Sequence, residues 1–282
     1  MKEIVCKELI SFKSIVEAYQ IKKMSLDYKQ NVILLVQDNQ NRPCMIYLDK
    51  NNMNISNFNL NADIDVESVR CMQRIRERWL LIFNYEDENA VIYNPDGSEY
   101  VKFYAGEGIR DCQVDANEDI WVSYCDEGVF GECPIGANGI VAFDSKGQLI
   151  FNSYDQYVEK YNIPYIDDCY AINVLDGDVW IYYYSEFPLV QMKDKKFHMS
   201  WNEINLTREI WSESFAVGQD KVVFITQDKQ LVAYDLRGNH VYDRNLCNEL
   251  GEQVQFVNYY SRGSSIYFQT DDMLYYTDVL NM

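Results

Sequence analysis

The chain has 282 residues, of which 44 are acidic and 25 are lysine or arginine, so its net charge near pH 7 is −19. A nucleic-acid-binding surface needs clustered basic side chains, and this balance argues against one. The sequence contains no run of 18 apolar residues, so we expect no membrane span. The length fits one all-β domain over residues 1–282.

The first predicted element is a strand at Lys2–Ile10. Six runs rich in β-branched and aromatic residues follow, as buried strands require. They are Val32–Val36, Trp79–Phe83, Ile120–Tyr124, Val179–Tyr183, Val222–Ile225 and Ser265–Phe268. Six such runs predict six similar sheets.

Turns led by Asp or Asn recur along the chain at Asp49, Asn94, Asp144 and Asp235. The intervals are 45, 50 and 91 residues, the last being about two periods. A repeat of this length, made of strands and turns, is typical of a four-stranded β-propeller blade. The predicted fold class is therefore all-β, a six-bladed β-propeller.

The last repeat, Gln253–Val279, is one strand short, whereas the strand at Lys2–Ile10 has no blade of its own. We expect the N-terminal strand to pair into the last blade and close the ring. Closure would also remove an exposed sheet edge.

The eight cysteines lack paired spacing, and the N-terminus lacks a signal-peptide pattern. We therefore expect reduced thiols and a cytoplasmic protein, and as a separate expectation we take the protein to be a monomer. Cys71, Cys112 and Cys169 fall at similar places in successive repeats, where a small apolar side chain would pack between blades.

In a blade, the first strand begins and the second strand ends at the same face, so residues at these positions surround one funnel. Candidate residues near the first-strand starts are Arg70, Arg110, Asp111, Asp168, Tyr170 and Glu213, and those after the second strands are Glu127, Tyr184 and Glu186. The repeat alignment makes Arg70, Asp111, Asp168 and Glu213 equivalent.

Crowded carboxylates raise one another's pKa, and either a bound cation or an arginine relieves the crowding. Oxygen ligands suit Ca²⁺ or Mg²⁺. The predicted metal ligands are Asp111, Glu127, Asp168 and Glu186. The alternative is that Arg70 or Arg110 neutralises Asp111 or Asp168.

The segment Asp126–Gly139 lengthens the connection between a second and a third strand and holds four of the 13 glycines. Long loops on a rigid scaffold often bind ligands, and Asp126 and Phe130 would be presented there. The alternative is passive packing against the neighbouring blade.

Catalytic machinery based on histidine is not expected. The only histidines are His198 and His240, and both fall in outer hairpins. A Ser-His-Asp or Cys-His system is therefore not expected, and catalysis would need carboxylates, tyrosines and a metal.

Two segments, Asp115–Val122 and Gly139–Gly147, resemble the blade consensus of six-bladed propellers of the NHL and gluconolactonase/paraoxonase kind. Three further segments, Asp126–Gly131, Asp168–Val174 and Tyr183–Val190, are similar to stretches in a group of bacterial propellers with no assigned function. Gluconolactonases hold a divalent cation with Glu, Asn and Asp ligands. Asp111 and Asp168 match in place, while the family's N-terminal glutamate and asparagine ligands have no match.

Two functions remain. The first is a non-catalytic propeller that binds a protein partner or small-molecule ligand at the funnel and the 126–139 loop. The alternative is a divalent-metal-dependent hydrolase of the lactonase or esterase type. The scarcity of histidine and the unmatched metal ligands of the gluconolactonases favour the first.

Overall fold

The computed structural model describes residues 2–51, 53–60, 64–84, 87–202, 204, 212–238 and 241–281. The chain divides into two compact units, one of residues 19–203 and one that combines residues 1–18 with residues 204–282. The longest helix in the described part is Tyr154–Tyr161, which is far too short to cross a bilayer.

The chain opens with strand β1 (Lys2–Ser11) and the one-turn helix α1 (Lys13–Val16). The unit of residues 19–203 follows, and its described residues form four antiparallel sheets of four strands each. The first sheet contains β2 (Tyr19–Leu26), β3 (Val32–Asp38), β4 (Pro43–Leu48) and β5 (Ile55–Asn59). The second contains β6 (Val69–Ile75), β7 (Arg78–Phe83), β8 (Ala90–Tyr93) and β9 (Glu99–Phe103).

The third sheet contains β10 (Ile109–Val114), β11 (Ile120–Tyr124), β12 (Ile140–Phe143) and β13 (Leu149–Phe151). Helix α2 (Asp126–Val129) and a 3₁₀ turn at Gly136–Asn138 lie between β11 and β12. Helix α3 (Tyr154–Tyr161) leads to the fourth sheet. That sheet contains β14 (Asp168–Leu175), β15 (Asp178–Tyr184), β16 (Leu189–Lys193) and β17 (Lys196–Trp201).

The other unit holds one eight-stranded sheet, in the order β18-β19-β20-β21-β1-β24-β23-β22. Its remaining strands are β18 (Ser212–Val217), β19 (Lys221–Thr226), β20 (Leu231–Asp235), β21 (Val241–Asn248), β22 (Asn258–Arg262), β23 (Ser265–Gln269) and β24 (Met273–Asp278). A 3₁₀ turn at Val279–Asn281 follows β24.

The N-terminal strand β1 pairs with two different strands of this sheet. Residues 2–6 run parallel to β21, and residues 7–11 run antiparallel to β24. The predicted pairing of the N-terminal strand with the last repeat is therefore present. Whether this pairing closes a ring stays a prediction.

Each of the six runs predicted as strands is a strand, and each is the second strand of its repeat: β3, β7, β11, β15, β19 and β23. Their side chains are almost all buried, which explains why they read as unbroken apolar runs. The all-β prediction is confirmed.

The aspartates that lead the recurring turns accept hydrogen bonds within those turns. Asp144 Oδ1 accepts hydrogen bonds from the backbone N–H groups of Lys146 (2.9 Å) and Gln148 (2.8 Å). Asp235 Oδ1 accepts from Arg237 N–H at 2.8 Å. Carboxylates that cap their own turns in this way fix the hairpins between the third and fourth strands.

Buried amides join the first strands of neighbouring sheets in the unit of residues 19–203. Gln113 on β10 donates from Nε2 to Ile172 O on β14 (3.0 Å) and accepts at Oε1 from Val174 N–H (2.9 Å). Gln73 on β6 donates to Leu26 O on β2 (3.1 Å). A buried glutamine that satisfies backbone groups of the next sheet fixes the register between sheets.

Helix α3 was not expected from the repeats. The interval between Trp121 and Trp180 contains α3 in addition to the 126–139 segment. Tyr154 and Val158, four residues apart, are the buried face of this helix. The extra length in this repeat therefore has two sources.

Candidate functional site

A β-bulge opens the first strand of five repeats and pushes one residue out of the ladder. The bulged residues are Lys22, Arg70, Arg110 and Tyr170 in the unit of residues 19–203, and Glu213 in the other unit. The bulges therefore make Arg110 and Tyr170, rather than Asp111 and Asp168, equivalent to Arg70 and Glu213. A bulge adds one residue to one strand of a pair, so residues after it are displaced by one position relative to the other repeats. No residue type identifies the bulge in the sequence.

Arg110 and Asp168 form an ion pair between β10 and β14. Arg110 Nη2 donates to Asp168 Oδ1 at 3.1 Å and to Oδ2 at 3.4 Å. The side chains are 30% and 19% exposed, so the pair is partly shielded from water. The ion pair matches the alternative expected from the sequence, in which Arg110 neutralises Asp168 and no metal ion is needed for this.

The other predicted arginine and aspartate make contacts with backbone and with their own strand. Arg70 donates from Nε to Ile109 O at 2.9 Å and so links β6 to β10. Asp111 Oδ1 accepts from Cys112 N–H at 2.8 Å, and its Oδ2 accepts from Gln113 Nε2 at 3.0 Å. Asp111 therefore helps to orient the glutamine that bridges the two sheets.

Tyr170, Tyr184 and Phe187 form an aromatic group beside the ion pair. The Phe187 ring centroid lies 5.7 Å from that of Tyr184 in an edge-on arrangement, and 6.1 Å from that of Tyr170. Tyr184 directly opposes Asp168 in the β14–β15 ladder. Its side chain is 46% exposed, so an aromatic face stands in solvent next to a carboxylate.

Electrostatics link Tyr170 to the acidic residues around it. Burial, followed by the negative charge of Asp168, raises the pKa of Tyr170, and Asp126 adds to the effect while Arg110 opposes it. Burial also raises the pKa of Tyr182, on the same sheet. These hydroxyls remain protonated near neutral pH and can donate hydrogen bonds.

We call the patch formed by Asp126, Asp168, Tyr170, Tyr184 and Phe187 the Tyr184 surface. It lies where the first strands of two sheets begin, and helix α2 reaches it by contact with β14. Of the predicted site residues, the structure brings together Arg110, Asp126, Asp168, Tyr170 and Tyr184.

The 126–139 segment is closely packed at its base and exposed at its tip. A Cβ on Gly108 would lie 2.2 Å from Gly128 N, and one on Gly136 would lie 2.5 Å from Gly128 O, so these backbones touch directly. Phe130 is 71% exposed. The base of the segment therefore packs against neighbouring backbone, as the alternative to a binding role predicted. Asp126, Glu127 and Phe130 are exposed and can contact a partner.

The remaining predicted acids are Glu186 and Glu213. Glu186 is exposed in the turn after β15 and has a left-handed backbone with φ 47°. Glu213 is exposed at the bulge of β18, in the unit of residues 1–18 and 204–282. In the described ranges, no three His, Cys, Asp or Glu side chains form a group that could hold a metal ion. The metal ligands proposed from the sequence stay a prediction.

The repeated cysteines lie in the core. All eight thiols are free, and Cys71, Cys112 and Cys169 are buried. Burial raises the pKa of Cys71 to about 12, so its thiol is unreactive at neutral pH. His198 is exposed on the outermost strand β17, and His240 lies outside the described residues.

Sequence reasoning missed Phe187 and the bridging role of Gln113. Phe187 follows Glu186 in a turn with two successive left-handed residues, φ 47° and 52°, which folds its ring back beside Tyr184. No spacing rule predicts that turn. The available signal for Gln113 was a polar residue between Cys112 and Val114, in the buried second half of β10.

Comparisons with known proteins support the fold. A sequence model of the YxzG family matches residues 140–277. No curated protein matches the chain. Among solved structures, KlHsv2 with loop 6CD replaced by a Gly-Ser linker has 10% identity and a TM-score of 0.56, with 94% of this chain and 79% of that chain covered.

Two further solved structures are similar at the level of the fold. YCF48 bound to D1 peptide, a β-propeller, has 10% identity and a TM-score of 0.51, with 93% of this chain and 79% of that chain covered. The extracellular domain of BT4673 from B. thetaiotaomicron has 9% identity and a TM-score of 0.53, and 92% of this chain covers 33% of that one. Identities this low establish the fold alone. The chain has a β-propeller fold.

Proposed function

We propose that this protein is a cytoplasmic, non-catalytic propeller scaffold that binds a basic segment of a protein partner at the Tyr184 surface. The observation that carries the proposal is the half-exposed ring of Tyr184, supported by Phe187 and set beside the carboxylate of Asp168. We further propose six blades in one domain over residues 1–282, with β1 completing the last blade. Four separate four-stranded sheets and one eight-stranded sheet support that number.

The chemistry of the surface favours a cationic ligand group. The face of a tyrosine ring attracts a lysine or arginine side chain, and a nearby carboxylate strengthens the attraction. Tyr170 and Tyr184 supply the rings, and Asp126 and Asp168 supply the charge. The net charge of −19 would also attract a basic partner from a distance.

The fold is suited to protein partners. The propeller YCF48 is bound to the D1 peptide in its solved structure. Fold alone does not carry function from one protein to another, so this likeness only supports the kind of ligand. The exposed Phe130 at the tip of the 126–139 segment adds an apolar contact for a peptide chain.

The pKa values of Tyr170 and of two buried groups on the same sheet, Tyr182 and Cys169, favour binding over acid–base catalysis by these side chains. A general acid or base works best with a pKa near the working pH. Burial moves the pKa values of Tyr170, Tyr182 and Cys169 upward, away from neutrality. These groups are therefore suited to packing and hydrogen bonding.

Selection from a random peptide display library tests the proposal. Binders are selected on the wild type without prior depletion, and each is then measured on a Tyr184→Ala variant. We expect the surviving peptides to contain lysine or arginine and to bind Tyr184→Ala at least about tenfold more weakly. Tyr161→Ala is the matched control, because Tyr161 is also a partly exposed, ring-stacked tyrosine, here against Phe197. Peptides without basic residues, or equal binding to Tyr184→Ala, would overturn the proposal.

A further inference from the structure

A separate cavity of about 610 Å³ lies in the unit of residues 1–18 and 204–282. It opens where β1 changes its pairing partner. Cys6 is the last residue paired with β21, and Lys7 is the first paired with β24, opposite Tyr276. After Tyr276, β24 no longer pairs with β1. The cavity lies in the gap between these two strands.

The backbone at this divergence is held in place by one side chain. Thr277 Oγ1 donates to Val5 O at 2.9 Å. Ile4, which is buried, and Ala233 contribute apolar walls. The walls are thus built from paired strands, which makes the cavity a stable feature of the sheet.

The charges that line the cavity contrast with the rest of the chain. Lys7, Lys221 and Arg244 line it, together with the acids Glu3 and Asp278. The balance is one positive charge, in a chain where acidic residues outnumber lysine and arginine 44 to 25. The lining of the cavity is therefore more basic than the chain as a whole.

Two of these cations have no acidic partner within the part of the chain that the structure describes. Arg244 donates from Nη1 to Asp243 O at 3.1 Å and lies 5.2 Å from the centre of the Tyr242 ring, but neither it nor Lys7 forms an ion pair there. Asp278 Oδ1 accepts from Leu280 N–H at 2.9 Å, so this carboxylate is partly occupied by its own turn. Lys7 and Arg244 are therefore available to a ligand.

We propose that this cavity binds a small molecule that carries a multiply charged oxyanion, either a phosphate or a polycarboxylate. Arg244 would supply a forked donor and Lys7 a point charge, the two modes by which proteins hold such anions. The volume falls in the range of small-molecule sites. The proposal concerns a different unit from the Tyr184 surface and does not depend on the proposed function.

Isothermal titration calorimetry at constant ionic strength tests the site, with pyrophosphate and citrate as the two probes. We expect saturable binding of at least one probe by the wild type, weakened by roughly tenfold or more in a Lys7→Gln/Arg244→Gln variant. Lys146→Gln, which removes an exposed lysine in a turn of the other unit, should bind as the wild type does. Which probe binds more tightly distinguishes a phosphate from a polycarboxylate ligand.

Each single variant is measured as well, because loss of either cation should weaken binding on its own. Circular dichroism and thermal melting without ligand establish that the variants are folded. Absence of binding of both probes to the wild type would overturn the proposal. Equal affinity in the folded double variant would also overturn it, since the anion would then bind elsewhere.

Discussion

Arg110 Nη2 lies 3.1 Å from Asp168 Oδ1, and this ion pair joins the first strands of two neighbouring sheets. Asp168 belongs to the Tyr184 surface, so the ion pair with Arg110 also fixes the position of this carboxylate. The Arg110–Asp168 pair should therefore contribute to the stability of the fold.

Removal of either charge should destabilise the fold. The pair is partly shielded, so Arg110→Gln should cost about 1–2 kcal/mol in the free energy of unfolding, more than an exposed pair would. Urea unfolding of Arg110→Gln, Asp168→Asn and the double variant gives the coupling energy. The matched control is the pair of Arg42 and Asp38, in which the arginine side chain is 65% exposed. Additive single effects at Arg110 and Asp168 would show that the pair contributes nothing.

The buried side-chain amide of Gln113 should contribute substantially to the free energy of unfolding. Gln113→Leu would leave Ile172 C=O and Val174 N–H without their partner inside the protein, at a cost of about 2–3 kcal/mol. Gln148→Leu changes an exposed glutamine and should have little effect. Chemical denaturation compares the two, and equal stabilities would contradict the bridging role.

Close backbone packing at the base of the 126–139 segment can be measured with alanine. Gly108 and Gly97 both have left-handed backbones, with φ 60° and 85°, so alanine is strained at either position. A Cβ added at Gly108 would lie 2.2 Å from the backbone nitrogen of Gly128, whereas the nearest atom to a Cβ added at Gly97 would be 3.5 Å away. Gly108→Ala should therefore be less stable than Gly97→Ala by about 1–3 kcal/mol. Equal losses in thermal or urea unfolding would indicate that the packing is loose.

Stability should fall at alkaline pH. Burial raises the pKa of the Cys71 thiol from 9.0 to about 12. A raised pKa in the folded state gives a contribution that is complete below pH 9.0 and is lost as the pH rises towards about 12. Urea unfolding over this range should show a smaller decline for Cys71→Ala than for the wild type. Cys125→Ala, at a half-buried position, is the control, and parallel curves for Cys71→Ala and the wild type would contradict the linkage.

Divalent cations distinguish the scaffold from the metal-dependent hydrolase of the lactonase type. On the scaffold hypothesis, the melting temperature should be the same in EDTA and after Ca²⁺, Mg²⁺ or Mn²⁺ is restored. A cation bound only to the folded state would raise it. A rise of several degrees that is lost in an Asp111→Ala/Asp168→Ala variant would favour the hydrolase and justify a screen of lactones.

The strands and turns could be predicted because their signals are local. Unbroken apolar runs such as Val222–Ile225 identify buried strands, and an aspartate such as Asp144 caps its own turn wherever it occurs. The composition of the candidate site was partly predicted for the same reason, since residues at strand starts and ends meet at one face.

The geometry of the site could not be predicted, because it depends on register. The bulges at Arg110 and Tyr170 shift the alignment by one or two residues, and only strand pairing reveals them. Phe187 reaches the surface through a turn with an unusual backbone, and Gln113 acts on a strand of the next sheet. Both are tertiary relationships that the linear sequence does not encode in any short pattern.

Hydrogen–deuterium exchange with and without a selected basic peptide tests the central claim most directly. Binding at the Tyr184 surface should slow exchange at the start of β14, near Asp168 and Tyr170, and in the turn around Phe187. The opposite end of the same sheet, at Asp194 and Lys195 between β16 and β17, should be unchanged. Protection confined to other parts of the chain, with none near Asp168 or Phe187, would contradict the proposed site.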